Sequence, residues 1–302
     1  MDSKIQIEEQ GLRDGLQTLT HLFSTHQKIE WIKQLEQAGL KRIQIGSFVH
    51  KNRVPPMADT DQLFLDLNRK KDVIYSGLVL NSIGLQRAVD CGAQHLSISL
   101  SASNTHSLKN IGKTIAEAKT EINEMISFAH HHGIVVRSGI QCAFGCRFEG
   151  KVQESLVLEL AEYLLNCGAD ELSLADSTGM AHPLQINKMV KSVISMAGKK
   201  SVGLHLHNTE NKGFANLYAG INAGVSIIDT AFGGLGGCPF IKGATGNIAT
   251  EDVVHMLAQM GIDTGIDINK IAPISLQIEK ALGHPLSGLM YRLIQNKEIA
   301  II

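Results

Sequence analysis

Residues two apart on a β-strand point to the same side, so the imidazoles of His205-Leu206-His207 can close on one ion. Two imidazoles at the C-terminal end of a strand suit Zn²⁺, Mn²⁺ or Fe²⁺, and an oxygen-rich remainder admits Mg²⁺. A pair of hydrogen-bonded core histidines would have the same spacing. More ligands are needed to decide, and Asp14 and Asn247 stand just beyond two other predicted strands. Asp14 could instead cap a turn with Gly15, and Asn247 could cap a helix starting at Ile248.

Arg13, next to Asp14, is a fixed cation suited to a developing oxyanion, or else one half of a salt bridge. Asp176 in Ala175-Asp176-Ser177-Thr178-Gly179 could support a metal ligand or cap a helix, and Glu9 and Glu251 carry the same two readings. Gly233-Gly234-Leu235-Gly236-Gly237-Cys238-Pro239 is too rich in glycine for a core element and reads as a loop over a site. The Cys238 thiol at its tip can exchange a proton if that loop closes, the alternative being a buried inert thiol. Cys142 and Cys146 lack metal-ligand partners at the expected spacing and read as packing residues. Gly145 to Lys151 has the spacing of a phosphate-binding loop, but Val152 stands where a hydroxyl must hold Mg²⁺, which excludes an ATP site.

The elements that must bring these residues together are short β-branched runs alternating with amphipathic stretches, the pattern of βα units around a parallel sheet. Eight strands are predicted: Ile5 to Glu8, Arg42 to Ser47, Val73 to Val79, His95 to Leu100, Ile134 to Ile140, Glu171 to Leu174, Val202 to Leu206 and Ser226 to Asp229. Helices are predicted at Gln27 to Ala38, Ile115 to His131, Val157 to Cys167 and Asn208 to Ala223, among others. Gly39, Gly92, Gly168 and Gly224 each follow a helical stretch where the chain must turn left-handed before the next strand. Eight such units between Lys4 and about Gly261 predict an α/β fold, a closed (β/α)8 TIM barrel, with 262–302 as a C-terminal helical extension. No Pro-rich, Ser-rich or low-complexity linker divides the 302 residues, so a single catalytic domain over 1–302 is expected. In a closed barrel the seventh and eighth strands adjoin the first, so Asp14, His205, His207 and Asn247 could converge on one ion.

Composition excludes several other classes. With 44% hydrophobic residues, 29 acidic and 28 basic side chains and a net charge of -1, the chain is neither disordered nor charged for nucleic acid or an anionic membrane. No apolar run approaches the length of about 18 residues of a membrane span. Met1 to Gln10 has neither signal-peptide nor transit-peptide character, and five cysteines fit a reducing compartment, so a cytoplasmic protein is expected.

Taken together, Arg13-Asp14-Gly15-Leu16-Gln17, Ser47-Phe48-Val49, Gly145-Cys146 with Glu149-Gly150-Lys151, His205-Leu206-His207, Gly233 through Cys238-Pro239, and Gly246-Asn247-Ile248-Ala249-Thr250-Glu251-Asp252 resemble the 3-hydroxy-3-methylglutaryl-CoA lyase family of metal-dependent TIM-barrel lyases. The resemblance runs from Glu9 to about Gly261. It implies that Asp14, His205, His207 and Asn247 ligate a divalent cation, Mg²⁺ or Mn²⁺, that Arg13 neutralises an enolate oxygen, and that Cys238 sits on a closing loop. It places Arg13, Gln17 and Gln44 against an acyl-CoA substrate and implies a homodimer. The implied reaction is retro-Claisen cleavage to acetyl-CoA and acetoacetate, with Cys238 or His205 as the acid. Two positions depart from the family pattern: Gln44 stands where a Glu is usual, and Asn208 where an Asp follows the second histidine. These changes leave two further readings open, another Claisen or aldol enzyme with a changed acceptor, and a catalytically silent barrel.

Overall fold

The structure, a computed structural model, describes residues 5–236 and 246–296. Strands β1 Gln6–Glu9, β2 Arg42–Ser47, β3 Ile74–Val79, β4 His95–Ser101, β5 Val135–Gln141, β6 Glu171–Asp176, β7 Val202–Leu206 and β8 Ile227–Thr230 close into one barrel in chain order. Each predicted strand lies on an observed one, with ends shifted by up to two residues. The largest shift is at β6, which runs on to Asp176 because Ala175 and Asp176 pair with His205 and Leu206 of β7. A window of local sequence cannot show such a cross-strand pairing.

Around the barrel lie α1 Thr25–Gln37, α2 Thr60–Asp66, α3 Ser82–Asp90, α4 Asn104–Ile111, α5 Ile115–His131 and α6 Glu154–Asn166. They are followed by α7 Pro183–Ala197, α8 Gly213–Ala223, α9 Thr250–Gln259, α10 Ile268–Leu282 and α11 Met290–Gln295. Capping chemistry sets several starts. Ser24 and Gln27 form a reciprocal capping box, which pulls α1 two residues ahead of the predicted Gln27. The helix predicted from Asn208 begins instead at Gly213, because the Asn208 side chain accepts the Gly213 N–H at 2.9 Å and closes off the chain before it. Gly39, Gly92, Gly168 and Gly224 have φ of 99°, 68°, 100° and 96°, the left-handed turns expected between helix and strand.

The apolar core lies between the strands and the helical ring, whereas the inside of the barrel is charged. Arg137 of β5, fully buried, donates from Nη1 to Glu8 Oε2 and Asp229 Oδ1, each at 2.8 Å, and from Nη2 to Ser173 Oγ at 3.1 Å. Arg42 of β2 reaches Glu8 Oε2 at 2.9 Å and grips Glu171 through two bonds of 2.9 and 2.6 Å. Burial opposes ionisation of Glu8, but the Arg137 and Arg42 guanidiniums hold its carboxyl well below the usual range. Glu171 is brought down to about 2, against its burial, by hydrogen bonds from His95 and Arg42. Space for the Arg137 head comes from β7: a Cβ at Gly203 would lie 2.1 Å from Arg137 Nη2.

Candidate metal centre

After β1 the backbone makes one wide helical turn, Gly11–Gly15, that carries Arg13 and Asp14. Glu9 fixes this turn: its Oε1 accepts from Gly11 N at 2.6 Å and from Phe232 N at 3.0 Å, and its Oε2 from Thr250 Oγ1 at 2.6 Å. One carboxyl thus ties the Arg13-Asp14 turn to the end of β8 and the start of α9. Glu251 does similar work from α9, accepting from Gly233 N at 2.9 Å and from Ser275 Oγ of α10. Burial pushes the carboxyls of Glu9 and Glu251 up to about 8 and about 7. Both therefore anchor backbone at the base of the glycine-rich segment.

His205 and His207 lie at the C-terminal end of β7, and the hydrogen bonds behind each ring fix its tautomer. His207 Nδ1 lies 3.1 Å from Ser177 O, and His205 Nδ1 lies 3.2 Å from Asp229 Oδ2. A carbonyl and a carboxylate can only accept, so both Nδ1 atoms donate, and in the neutral rings the two Nε2 atoms are the ones open to an ion. Those atoms face each other across 3.1 Å, and Asp14 Oδ2 joins them at 3.4 Å from His207 Nε2 and 3.8 Å from His205 Nε2. Three atoms that can each ligate a metal converge, all within 4.8 Å of one another. A divalent cation satisfies such a set, so the residues present fit a metal. Burial opposes ionisation of Asp14, yet the Arg13 guanidinium beside it holds its carboxyl well below the ordinary range.

Asn247 comes to the same place by pairing with His207 in an isolated antiparallel bridge. Its Nδ2 donates to Asp14 Oδ2 at 2.8 Å and to Leu235 O at 2.9 Å, while its buried Oδ1 meets no partner among the described residues. That orphaned oxygen fits a fourth donor. The helix that Asn247 might have capped starts later, at Thr250. Gln17 Nε2 donates to Asp14 Oδ1 at 2.6 Å, and Arg13 donates to the same oxygen. Gln44, buried on β2, accepts from Arg13 Nε.

Two other candidates sit outside this cluster. Asp176 accepts from Ala181 N at 3.2 Å in the turn after β6, and burial raises its carboxyl to about 6. Asn208 turns its side chain to α8 and supports a helix start, not a histidine. Cys238 lies outside the described residues, whereas Cys142 and Cys146 are both buried.

The residue that sequence reasoning missed is Asp229. It joins His205 to Arg137 and so links the metal-facing ring to the charged barrel interior. Its signal was a charge ending an otherwise apolar strand. Partners that orient a ligating histidine are worth about 10–100-fold in metal affinity. Asp229→Asn is therefore expected to weaken Mn²⁺ binding by about that factor in an electron paramagnetic resonance titration. An unchanged dissociation constant would detach Asp229 from the site.

The cluster forms one wall of a cavity of about 760 Å³ at the C-terminal mouth of the barrel. Arg13, Gln44, Ser99, Arg137 and Ser173 are among its lining residues, as are His50, Arg53 and Lys113. This is the face where barrels of this kind carry their chemistry.

Comparison with known proteins shows the family. The HMGL-like family matches residues 4–278. The hydroxymethylglutaryl-CoA lyase YngG of Bacillus subtilis is 36% identical over 283 residues, covering 94% of this chain and 95% of that protein. The cytoplasmic 3-hydroxy-3-methylglutaryl-CoA lyase of Rattus norvegicus is 39% identical over 88% of this chain and 78% of its own length. The (R)-citramalyl-CoA lyase of Chloroflexus aurantiacus is 36% identical over 95% of this chain and 93% of its own. An HMG-CoA lyase from Acinetobacter baumannii, solved with coenzyme A and 3-methylmalate, superposes with a TM-score of 0.93 at 37% identity, covering 99% of this chain and 98% of that one. With residues 4–278 matched and a relative 36% identical over 94% of its length, the chain belongs to the HMGL-like family.

Proposed function

We propose that the protein is a metal-dependent carbon–carbon lyase that cleaves 3-hydroxy-3-methylglutaryl-CoA, or a close 3-hydroxyacyl-CoA, to acetyl-CoA and acetoacetate or a related keto acid. The observation that carries this reading is the convergence of the Asp14, His205 and His207 ligand atoms beside Arg13 in the wall of the cavity. Family membership and the HMG-CoA lyases among the relatives support it.

Asp14, His205, His207 and Asn247 would hold Mg²⁺ or Mn²⁺, which supplies Lewis acidity to the hydroxyl oxygen that becomes the ketone. The remaining work falls to the chain's own side chains. A guanidinium has five N–H groups, and Gln44, Asp14 and Gln10 take three of those on Arg13. Two are left for the thioester oxygen, where charge collects as the C2–C3 bond breaks and its electron pair forms the enolate. The hydroxyl proton must leave in the same step. A water or hydroxide in the cavity is proposed to take it, because His205 has its Nε2 committed to the ion and its Nδ1–H given to the Asp229 carboxylate; His205 is proposed to fix the ion beside that hydroxyl. Cys238 is proposed as the acid that returns a proton to the enolate carbon.

The same reading takes residues 1–302 as a single catalytic unit forming a homodimer, acting on an acyl-CoA in the cytoplasm without nucleic acid or membrane partners. A second reading, cleavage that releases a different keto acid, is favoured by Gln44 and by the citramalyl-CoA lyase among the relatives. The experiment that tests the proposal is release of acetyl-CoA by the purified protein with Mg²⁺ or Mn²⁺ from a panel of branched 3-hydroxyacyl-CoA esters. Cleavage of 3-hydroxy-3-methylglutaryl-CoA is expected. Cleavage of only another ester would favour the second reading, and no cleavage across the panel would overturn both.

A further inference from the structure

The segment that leaves β2 for α2 forms one wall of the cavity, through Val49, His50, Arg53, Val54, Pro55 and Pro56. Its backbone bonds run within the segment, from Arg53 N and Val54 N to His50 O and from Met57 N to Val54 O. Pro55 and Pro56 have no N–H to give. Side chains from the two flanking helices hold the wall instead. Arg87 of α3 donates from Nη1 to Phe48 O at 3.2 Å and to Val49 O at 2.9 Å, and Lys28 of α1 donates from Nζ to Pro56 O at 2.6 Å. Each cation is in turn held by an acid at the start of α2. Arg87 Nε and Nη2 meet the two oxygens of Asp61 at 3.1 and 2.9 Å, and Lys28 Nζ meets Asp59 Oδ1 at 2.6 Å. Thr25 Oγ1 donates to the other Asp59 oxygen at 2.9 Å.

The wall is thus gripped at both ends by a cation–acid pair, and none of these four charged residues lines the cavity itself. Lys28 is buried, where a lysine is rare unless its charge is used. Joining α1 to α2 needs only its bond to Asp59; the bond to Pro56 O does something more. Asp59 and Asp61 are each 22% exposed, so water can replace a lost cation and the effect of losing it falls on the wall. We infer that Lys28 and Arg87 are positioning residues that hold residues 49–56 in their ligand-facing form before the ligand arrives. The inference rests on the lyase reading, which supplies an acyl-CoA as that ligand. A wall already ordered costs the ligand no conformational entropy. With a clamp removed, binding must order it, which weakens ground state and transition state alike, so KM and Kd rise while kcat holds.

The test compares wild type, Lys28→Met and Arg87→Met, with circular dichroism to check that each folds. Should the buried Lys28→Met fail to fold, Arg87→Met at its partly exposed site still decides. Two readouts need no turnover: amide hydrogen exchange over residues 48–57, and the Kd of coenzyme A by calorimetry. Arg53 on this wall suits the phosphates of coenzyme A, which makes that molecule the probe. Exchange in the free variants is expected to quicken in this segment and to slow again when coenzyme A is saturating. Ordering one freed side chain on binding corresponds to about 2–10-fold in affinity. Kd for coenzyme A and KM for the cleaved ester are expected to rise by at least about that factor, with kcat within about twofold of wild type. Unchanged exchange and Kd in a folded variant would overturn the inference by showing that the clamps only join helices. A fall in kcat with KM unchanged would overturn it by placing the effect on the chemical step. If wild type binds coenzyme A but cleaves no ester, the lyase reading fails on its own, and exchange with Kd still decides the role of the clamps. Failure of wild type to bind coenzyme A or any ester would overturn both.

Discussion

Alanine at His207 or Asp14 is expected to abolish acetyl-CoA release and to cost more in divalent-ion affinity than the about 100-fold upper value for outer partners of a ligand. Either change breaks the converging Asp14, His205 and His207 set and removes one of the four proposed donors. Asp14→Ala has a second effect, because it removes the one charged partner of Arg13 and leaves that guanidinium with two neutral amides. Manganese titration followed by electron paramagnetic resonance reads the first effect, and a thiol-release assay reads turnover. Gln17→Ala is the contrasting case, since it removes only a bond to Asp14 Oδ1 and leaves the donor set in place. An Asp14→Ala protein that bound Mn²⁺ as wild type does would refute the proposed centre.

The second large effect is on folding. Arg137→Met keeps most of the side-chain volume but leaves Glu8 and Asp229 facing each other inside the barrel without the cation between them. Removing one partner of a buried ion pair costs about 3–5 kcal/mol, to be read as a drop in the urea midpoint. The pH dependence has a definite sign. The folded-state carboxyls of Glu8 and Glu171 lie below their ordinary values, so the stability they contribute is present above about pH 4.5 and is lost as pH falls, for Glu171 through about 2. The difference between wild type and Arg137→Met should therefore be full at pH 7 and shrink toward pH 3, where a neutral carboxyl no longer needs the guanidinium. A difference that grew on acidification would mean that the network contributes in some other way. Turnover should fall as well, because Asp229 loses the partner that holds it against His205.

Much of the fold was legible because buried parallel strands read as short apolar runs and because glycine is the residue that closes each helix. Position on the barrel then made the sparse polar residues at strand ends informative. Two histidines on β7, an aspartate after β1 and an asparagine after β8 lie on adjoining staves, so barrel closure alone brings them together. What was not legible depended on partners across the sheet. The last residues of β6 are strand because β7 pairs with them, and the role of Asn208 is set by the Gly213 N–H. The interior charges were in view, since Glu8, Arg42, Arg137, Glu171 and Asp229 all fall within predicted strands. Their meaning appears only when closure places β5 opposite β1 and β8, so that Arg137 can touch both Glu8 and Asp229.

Gly203 and Arg137 also bear on how such a barrel can change over time. They occupy different staves, yet the guanidinium of one fills the space that any side chain on the other would need. Substitutions at the two positions are therefore not independent steps. A methyl group at 203 would have to displace a guanidinium that is held by bonds to Glu8, Asp229 and Ser173. Loss of the arginine first passes through an intermediate burdened with bare carboxylates. The route between this interior and an apolar one is thus order-dependent, with an epistatic barrier at its first step, and that barrier helps keep a charged centre in place.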